Sequence, residues 1–305
     1  MAEAGVADAL DGRPRTTAEL AGETGLDCDA LARLLNLLQE RGLFRREADD
    51  RWAHTDASQM LQSDHPESLR SYARMAGAPV CWGSVTHLEH ALRTGEPGIT
   101  RLHAGGTFAY LASQPDESRV FQSAMTSKAR ADIVAALAAH DFARYRSVCD
   151  IGGGQGHLLD ALVEAQPEVR GILFELPEVA RTARPVEGVE IVAGDFLVDA
   201  LPLADAYVLM NVIHGWDDDS ASRILSSVAH AGRSSRSTVL IFESVMPEGR
   251  EPHPSRTLDV LMLASTGGRE RTLTEYSRLL GSAGLALVGS TPLPTGFSII
   301  EARAG

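Results

Sequence analysis

The sequence predicts an α/β fold: a Rossmann-like, doubly wound, mostly parallel sheet, preceded by a helical N-terminal module of winged-helix type. Two observations support this prediction. From residue 147 onward, short apolar segments alternate with helical ones, which is typical of a parallel sheet covered by helices. Before residue 57, helix-capping residues and a hairpin pattern follow one another in the order of a winged helix.

The N-terminal module is expected to contain two helices and a hairpin. Thr17 can cap the first helix, Gly25 can turn the chain into the second, and Gly42 can close the second. A turn at Asp49-Asp50, between the segments GLF and RWAH, then predicts a small β-hairpin. The second helix should present one apolar face, which consists of Leu31, Leu34, Leu35 and Leu38.

The charge of the chain argues against nucleic acid as a partner. The 305 residues carry a net charge of -13, Lys128 is the only lysine, and residues 1–56 hold 12 acidic residues against 7 arginines. A surface that binds phosphates, or an anionic membrane, needs the opposite sign. We therefore expect the N-terminal module to serve dimerisation or to cover a substrate.

The α/β domain is expected to contain seven strands. The first five alternate with helices, and the last two lie so close in sequence that they should form an antiparallel edge pair. The predicted organisation is a winged-helix-like dimerisation module over 1–65, a helical linker or substrate-covering segment over 66–140, and the α/β domain over 141–305. The seven predicted strands are SVCDI, GILFE, VEIVA, AYVLM, TVLIF, LALVG and FSIIE.

Composition also bears on location and on cysteine chemistry. No apolar run approaches the roughly 20 residues of a membrane span, and the N-terminus MAEAGVADAL lacks the features of a secretory signal. We therefore expect a cytoplasmic protein. Cys28, Cys81 and Cys149 form no C-x-x-C pair, so we expect small buried residues rather than a disulfide framework or a thiolate metal site.

A glycine-rich turn follows the first strand of the α/β domain. Gly152, Gly153, Gly154 and Gly156 lie between SVCDI and the helical segment HLLDALVEA. Such a turn lets a ligand approach the backbone, and a nucleotide, a dinucleotide or S-adenosylmethionine would each use it. His157 stands where the dinucleotide fingerprint has its third glycine, and no G-K-[ST] follows. Both departures count against phosphate binding.

Acidic residues stand at the ends of the first three strands. Glu175 follows Gly156 by 19 residues, where its carboxylate can accept hydrogen bonds from both hydroxyls of a ribose. Asp195 is expected near an adenine amino group and Phe196 against the adenine face, although a turn-forming Asp195 is the alternative. Asp150 either contacts the cofactor or holds the glycine loop.

His214 is expected just beyond the fourth strand, at the edge where doubly wound sheets bind ligands. A histidine there can act as general base for a hydroxyl, and a neighbouring carboxylate can fix its tautomer. Glu243, at the end of the fifth strand, and Glu270, in the segment GGRERT, are the candidates. We expect the following run, Asp217 to Asp219, to cap the next helix rather than to bind metal.

Together these motifs resemble the class I small-molecule O-methyltransferases, which include plant caffeate and flavonoid enzymes and bacterial polyketide and anthracycline tailoring enzymes. The resemblance covers nearly the whole chain. It implies S-adenosylmethionine as cofactor, S-adenosylhomocysteine as product, no metal, and a homodimer. The motifs that carry the resemblance are DIGGGQG, FELP, GDF, LMNVIHGWDDD and LDVLMLASTGGRERT.

The resemblance also implies residue roles. The family's general base matches His214, and its flanking glutamates match Glu243 and Glu270. The F-x-x-x-M helix of the family, which contacts substrate, matches Phe121 and Met125, and Met262 joins them from the segment LDVLM, although apolar residues at such spacing also suit a plain core. The predicted cofactor-binding set is Asp150, Gly152, Gly154, Glu175, Asp195 and Phe196.

Two departures from the family pattern are visible. Met210 stands where the plant enzymes have a lysine near the cofactor. In relatives a further N-terminal helix precedes the segment that matches AEAGVADAL, so the extent of the expected dimer interface stays open.

The expected reaction is attack of a substrate hydroxyl, activated by His214, on the methyl carbon of S-adenosylmethionine. Full proton transfer from a phenol to imidazole would cost about 5 kcal/mol, so the proton should move as the methyl group transfers. The alternatives are N-methylation, a non-methylating reaction with the same cofactor, a ligand-sensing winged-helix regulator, and a nicotinamide dehydrogenase. A neutral amine needs no base, so His214 favours oxygen; the acidic module disfavours the regulator, and the glycine spacing disfavours the dehydrogenase.

Overall fold

The computed structural model describes residues 1–233 and 236–304, which divide into two compact units. The first unit consists of residues 1–78 and 114–128, and the second of residues 79–113 and 129–305. The predicted domain boundaries at residues 65 and 140 remain a proposal. Among the described residues, no helix is long and apolar enough to cross a membrane.

The first unit combines short helices with a small sheet. Its strands β1 (Arg15–Thr16), β2 (Arg45–Arg46) and β3 (Arg51–Ala53) pair antiparallel in the order β1-β3-β2. The predicted hairpin and its turn are present, and Asp49 and Asp50 turn the chain with positive φ angles of 61° and 58°. Its first strand is Arg45–Arg46 and not the predicted segment GLF, because Gly42 and Phe44 adopt positive φ angles of 77° and 64° and cannot be extended. The winged-helix assignment itself stays a prediction. The helices are α1 (Val6–Leu10), α2 (Thr17–Thr24), α3 (Cys28–Glu40), α4 (Asp56–Gln59) and α5 (Arg70–Gly77).

The start of α2 differs from the prediction by one residue. Thr16, in extended conformation, caps the helix in a reciprocal capping box with Glu19. Thr17 is the first helical residue, and its hydroxyl instead accepts a hydrogen bond of 2.9 Å from the indole N–H of Trp52. Gly25 ends α2 in the left-handed conformation, as predicted.

The apolar face of α3 is only partly covered. Leu31 and Leu35 are buried in the core of the first unit with Leu10, Phe44 and Trp52, whereas Leu34 is exposed. The predicted apolar face is therefore only partly covered by the core of the first unit. The helix ends at Glu40, two residues before Gly42.

The second unit is built around a seven-stranded sheet in the order β11-β12-β8-β7-β4-β5-β6. Strands β4 to β8 are parallel, while β12 pairs antiparallel with both β8 and β11. All seven predicted strands and the antiparallel pair at the edge are thus confirmed. The strands are β4 (Ser147–Ile151), β5 (Arg170–Glu175), β6 (Val189–Ala193), β7 (Ala206–Met210), β8 (Thr238–Glu243), β11 (Leu285–Pro292) and β12 (Ser298–Ala304); a two-stranded parallel pair joins β9 (Val245–Met246) to β10 (Arg271–Thr272).

Helices cover both faces of the large sheet, so its central strands are buried on both sides. In β7, Tyr207 and Leu209 belong to one apolar core, and Val208, between them, belongs to the other. This double burial is why β7 and β8 are apolar at nearly every position. The remaining helices are α6 (Ser84–Thr86), α7 (Leu88–Thr94), α8 (Gly106–Ser113), α9 (Pro115–Ala139), α10 (His157–Ala165), α11 (Pro177–Ala180), α12 (Asp218–Gly232), α13 (Ser255–Ser265) and α14 (Leu273–Ser282).

The cysteines do not all behave as predicted. Cys149 is buried in β4, Cys81 is half-buried, and Cys28 is exposed at the start of α3. None of the three forms a disulfide bond in the structure. The expectation of small buried residues is therefore wrong for Cys28, because the first turn of a surface helix leaves its side chain in solvent.

Candidate active site

The glycine loop connects β4 to α10 at the carboxyl edge of the sheet. Gly152, Gly154 and Gly156 have positive φ angles of 69°, 60° and 80°, a conformation that side chains rarely adopt. A Cβ atom at Gly152 would lie 3.2 Å from Val212 and 3.5 Å from the ring of Phe196. The side chains of Val212 and Phe196 therefore lie close to the backbone at this position, which leaves little room for a side chain at residue 152.

Asp150 lies beneath this loop. A Cβ atom at Gly153 would lie 2.5 Å from Cγ of Asp150 and 2.8 Å from Leu173, so only glycine fits over the carboxyl group. Burial, with a smaller contribution from Glu175, raises the pKa of Asp150 to about 7. The contact supports a role of Asp150 in holding the loop.

Glu175 links the ends of β4 and β5. Its Oε2 accepts a hydrogen bond of 2.9 Å from the backbone N–H of Gly154, and its Oε1 accepts one of 2.8 Å from that of Leu176. Burial raises the pKa of Glu175, and these two N–H groups act in the opposite direction. An ionised carboxylate has about four acceptor positions, so capacity remains for the two hydroxyls of a ribose.

Asp195 and Phe196 follow β6. Asp195 Oδ1 accepts a hydrogen bond of 2.8 Å from the N–H of Leu197, so this residue does shape the turn, which was the alternative considered for it. Phe196 meets the ring of Trp216 edge to face, with centroids 5.8 Å apart, and Trp216 stacks on Phe108 at 6.1 Å. The turn therefore holds an aromatic ring beside the glycine loop, where it can contact an adenine.

His214 lies on the single 3₁₀ turn Ile213–Gly215, directly after β7, and is nearly buried. Its Nδ1 lies 2.7 Å from Oε1 of Glu270 and 3.6 Å from Oε2 of Glu243. Its backbone N–H also donates to Glu243 Oε1 at 3.2 Å. The three residues that the sequence singles out as a base and its partners are thus brought together, and both carboxyl groups are fully buried.

This geometry determines the tautomer of His214. An ionised carboxylate only accepts hydrogen bonds, so Nδ1 must be protonated in order to donate its hydrogen bond to Glu270. The lone pair then resides on Nε2, which is the nitrogen able to take a proton from an acceptor. Both carboxyl groups lie beside Nδ1, where negative charge would stabilise an imidazolium.

Several supporting residues were not singled out in the sequence. Arg271 is buried and donates to the histidine loop, and Gly268 packs against that loop. Tyr276 is buried in the same region; burial, with the charge of Glu243 adding to it, raises its pKa well above the ordinary value. Nothing in the periodicity of the sequence distinguishes Arg271 from the exposed Arg269 two residues earlier. A run of alternating charge directly after two glycines was the only available signal.

The acidic run after His214 is shared between a cap and an ion pair. Asp217 Oδ1 accepts from the N–H of Ser220 at the start of α12, as expected for a cap, and Asp218 pairs with Arg271. Among the described residues, the histidine and its two glutamates are the only group whose possible metal-ligand atoms lie within 4.8 Å of one another. In that group the nitrogen Nδ1 is already in a hydrogen bond to a carboxylate.

The proposed substrate residues are distributed over both units. Met262 is half-buried on α13, the helix whose Asp259 accepts a hydrogen bond of 2.9 Å from the backbone N–H of Glu270. Phe121 and Met125 are half-buried on the part of α9 that belongs to the first unit. Their contact with a substrate stays a prediction.

This fold is that of the S-adenosylmethionine-dependent methyltransferases. It combines a doubly wound sheet, a glycine loop after its first strand, a carboxylate (Glu175) at the end of its second strand, and an antiparallel last strand. Within that class, the O-methyltransferase domain matches residues 85–286 and the O-methyltransferase dimerisation domain matches residues 1–64. The chain therefore belongs to the O-methyltransferase family, and the enzyme class and cofactor expected from the sequence are confirmed.

Three known proteins illustrate the relationship. Phenazine O-methyltransferase PhzM of Lysobacter antibioticus is 36% identical over 99% of this chain and 90% of its own length. The crystal structure of the O-methyltransferase NcsB1 from neocarzinostatin biosynthesis, in complex with S-adenosylmethionine and 2-hydroxy-5-methyl naphthoic acid, matches with a TM-score of 0.85 at 33% identity, covering 100% of this chain and 94% of that one. The 8-amino-8-demethylriboflavin N,N-dimethyltransferase of Streptomyces davaonensis is 33% identical over 97% of this chain and 88% of its own length.

Proposed function

We propose that this enzyme methylates a hydroxyl group on a small aromatic molecule, with His214 as the general base. The observation that carries the proposal is the 2.7 Å contact between His214 Nδ1 and the buried Glu270, with Glu243 as a second buried neighbour. A histidine held in this tautomer presents a proton-accepting nitrogen, which a hydroxyl nucleophile requires and a neutral amine does not.

The cofactor contacts are also proposals. Glu175 would accept hydrogen bonds from the ribose hydroxyls, Asp195 and Phe196 would contact the adenine, and the backbone at Gly152 and Gly154 would lie against the rest of the molecule. When bound, S-adenosylmethionine supplies the electrophilic methyl group. The carboxylate of Glu175 at the end of β5 fits an adenosine without a 2′-phosphate.

The protein contributes alignment and proton acceptance. His214 Nε2 takes the hydroxyl proton as the new bond to oxygen forms, while Glu243 and Glu270 balance the developing charge. The nearly complete burial of the three side chains keeps water from competing for the proton. We assign Phe121, Met125 and Met262 to the substrate pocket, and we propose a homodimer located in the cytoplasm.

An aromatic acceptor is favoured by the comparisons. NcsB1 was crystallised with a naphthoic acid, and PhzM is named for methylation of a phenazine. N-methylation is the second candidate, because a relative of 33% identity is named an N,N-dimethyltransferase. The two reactions differ in their need for the base, which makes them separable by experiment.

The decisive test compares His214→Ala with His230→Ala, which removes an exposed histidine of α12. Turnover is measured on matched acceptors that carry either a hydroxyl or an amino group on the same ring. His214→Ala should lower turnover of the hydroxyl acceptor by about 10²-fold or more, and His230→Ala should not. Unchanged turnover of the hydroxyl acceptor by His214→Ala would refute the base assignment; activity on the amine alone would favour N-methylation.

Cofactor assignment is tested separately by calorimetric titration with S-adenosylhomocysteine. Glu175→Ala should abolish detectable binding, because two ribose hydroxyls lose their acceptor and the loop loses its tie at Gly154. Glu164→Ala, at an exposed position of α10, is the matched control. Equal affinity of the two variants would contradict the assigned ribose site.

A further inference from the structure

Arg271 is a buried cation that the proposed reaction does not use. Its side chain is 1% exposed, and all three guanidinium nitrogens donate hydrogen bonds. Nη1 donates to the carbonyl oxygens of Ile213 and Arg269, each at 3.2 Å. Nη2 donates to the carbonyl oxygen of Trp216 at 2.9 Å, and Nε and Nη2 both donate to Asp218 Oδ1, at 2.9 and 2.8 Å.

These bonds fall on both sides of His214. Ile213 precedes the histidine and Trp216 follows it by two residues, so the guanidinium holds the backbone of the 3₁₀ turn at both ends. The carbonyl oxygen of His214 itself accepts a hydrogen bond of 2.9 Å from the N–H of Arg269. The turn that carries the histidine and the segment that carries Glu270 are therefore one hydrogen-bonded unit.

The pairing of β10 with β9 brings Arg271 close in sequence register to the strand that carries Glu243, the third residue of the site. Arg271 begins β10, which pairs in parallel with β9, and its register partner is Val245. Glu243 ends β8 only two residues before that partner. The segments that supply all three side chains of the site thus meet at Arg271.

We propose that Arg271 is a positioning residue for the methyl transfer. Through the backbone on both sides of His214, it sets the imidazole at the angle at which Nδ1 meets Glu270. This inference rests on the proposed function, in which His214 is the base. A guanidinium suits the task because it presents five N–H donors in a rigid plane, whereas a lysine presents a single flexible ammonium.

Asp218 fixes the plane of the guanidinium. Its Oδ1 accepts from both Nε and Nη2, which leaves Nη1 directed at the carbonyl oxygens of Ile213 and Arg269. It also supplies a negative charge for a cation that would otherwise be buried without one. Because its side chain is 57% exposed, Asp218 can be changed with less disturbance of the core than Arg271.

The test uses the full-length enzyme and four readouts: kcat, KM for the acceptor, affinity for S-adenosylhomocysteine, and Tm. Arg271→Lys should lower kcat by about 10- to 10²-fold, the expected effect of a misplacement near 1 Å, while KM and cofactor affinity stay within about 3-fold. Added guanidinium ion should restore part of the kcat lost in Arg271→Ala. Wild-type kcat in Arg271→Lys, or a loss confined to KM, would overturn the proposal.

Two variants of exposed side chains keep the test valid if the Arg271 variants fail to fold. Asp218→Ala, which removes the acceptor Oδ1, should lower kcat by about 3- to 10-fold, whereas Arg269→Gln, which removes the other ion pair of Asp218, should leave kcat near wild type. Equal kcat in Asp218→Ala and wild type would overturn the positioning role. His214→Ala is measured alongside: if it is inactive and Arg271→Lys is fully active, only the positioning role fails, whereas an active His214→Ala overturns the base assignment and the positioning role together.

Discussion

Gly268→Ala is a one-carbon perturbation aimed at the position of His214, the proposed general base. A Cβ atom at Gly268 would overlap the carbonyl oxygen of His214 and lie 2.5 Å from the carbonyl carbon of Gly215 and 2.7 Å from the nitrogen of Trp216. All three are backbone atoms, which do not move aside as a flexible side chain does. Ordinary van der Waals contact begins at 3.4 Å, so the two segments must separate by about 1 Å.

A separation of about 1 Å should reduce kcat by about 10²-fold, because proton transfer depends on the alignment of His214 with the acceptor. Gly215→Ala is the matched control, since a Cβ atom there meets nothing within 4 Å although the residue lies on the same turn. Steady-state kinetics at saturating S-adenosylmethionine measure the effect. Thermal melts check that Gly268→Ala has not unfolded the protein, since overpacking of this kind costs about 1–3 kcal/mol.

Two results would refute this reasoning. A kcat for Gly268→Ala within about 3-fold of wild type, with an unchanged Tm, would mean that the turn tolerates the extra carbon and does not define the position of His214. An equal loss in Gly215→Ala would mean that the turn is sensitive to any added carbon, so the contact at Gly268 would not be the cause.

Three further predictions concern the cofactor side and the charge balance of the site. Asp150→Asn should raise the Tm of the ligand-free protein more at pH 8 than at pH 5. Burial raises the pKa of Asp150 from 3.8 to about 7, so the folded protein retains a proton that the unfolded chain releases, and the stability of the wild type falls by up to about 4 kcal/mol as the pH rises across that range. An equal gain in Tm at both pH values would contradict this. Phe196→Ala should weaken S-adenosylhomocysteine binding by about 5- to 150-fold in calorimetry, as expected for a lost stacking contact, and unchanged affinity would exclude that contact. Glu270→Gln should lower kcat by about 10²-fold in steady-state assays with cofactor affinity preserved, because the imidazolium loses one of its two counter-charges; a kcat equal to wild type would remove Glu270 from the mechanism.

The sequence predicts the sheet well because its strands are short, apolar and separated by helices. All seven strands are predicted from the sequence, and the glycine spacing, with Glu175 and Asp195 after it, indicates the edge of the sheet at which we propose that the cofactor binds. The His214 cluster could also be predicted, since parallel strands bring their carboxyl ends to one edge. Each of these signals is local to a strand end.

Features that depend on tertiary contacts were not predictable in the same way. Thr16 and Thr17 are both competent caps; in the structure Thr16 forms the capping box with Glu19, while the hydroxyl of Thr17 accepts a hydrogen bond from Trp52. Arg271 and Arg269 look alike in sequence, yet one is buried and the other half-exposed. The exposed Leu34 is a further example: the periodicity of a helix indicates which of its faces is apolar, but not how much of that face packs against the core.

The strand order has a consequence for how such enzymes diversify. Strand β4 and its neighbours β5 and β6, on one side of the sheet, are followed by the carboxylates and glycines that we propose to bind S-adenosylmethionine, while β7 and β8, on the other side, are associated with the proposed base His214 and with Glu243. Mutations that re-tune which acceptor atom is modified can therefore accumulate in one half without eroding the recognition of the donor in the other. Related enzymes with this sheet can therefore keep the same methyl donor while their acceptor specificity changes.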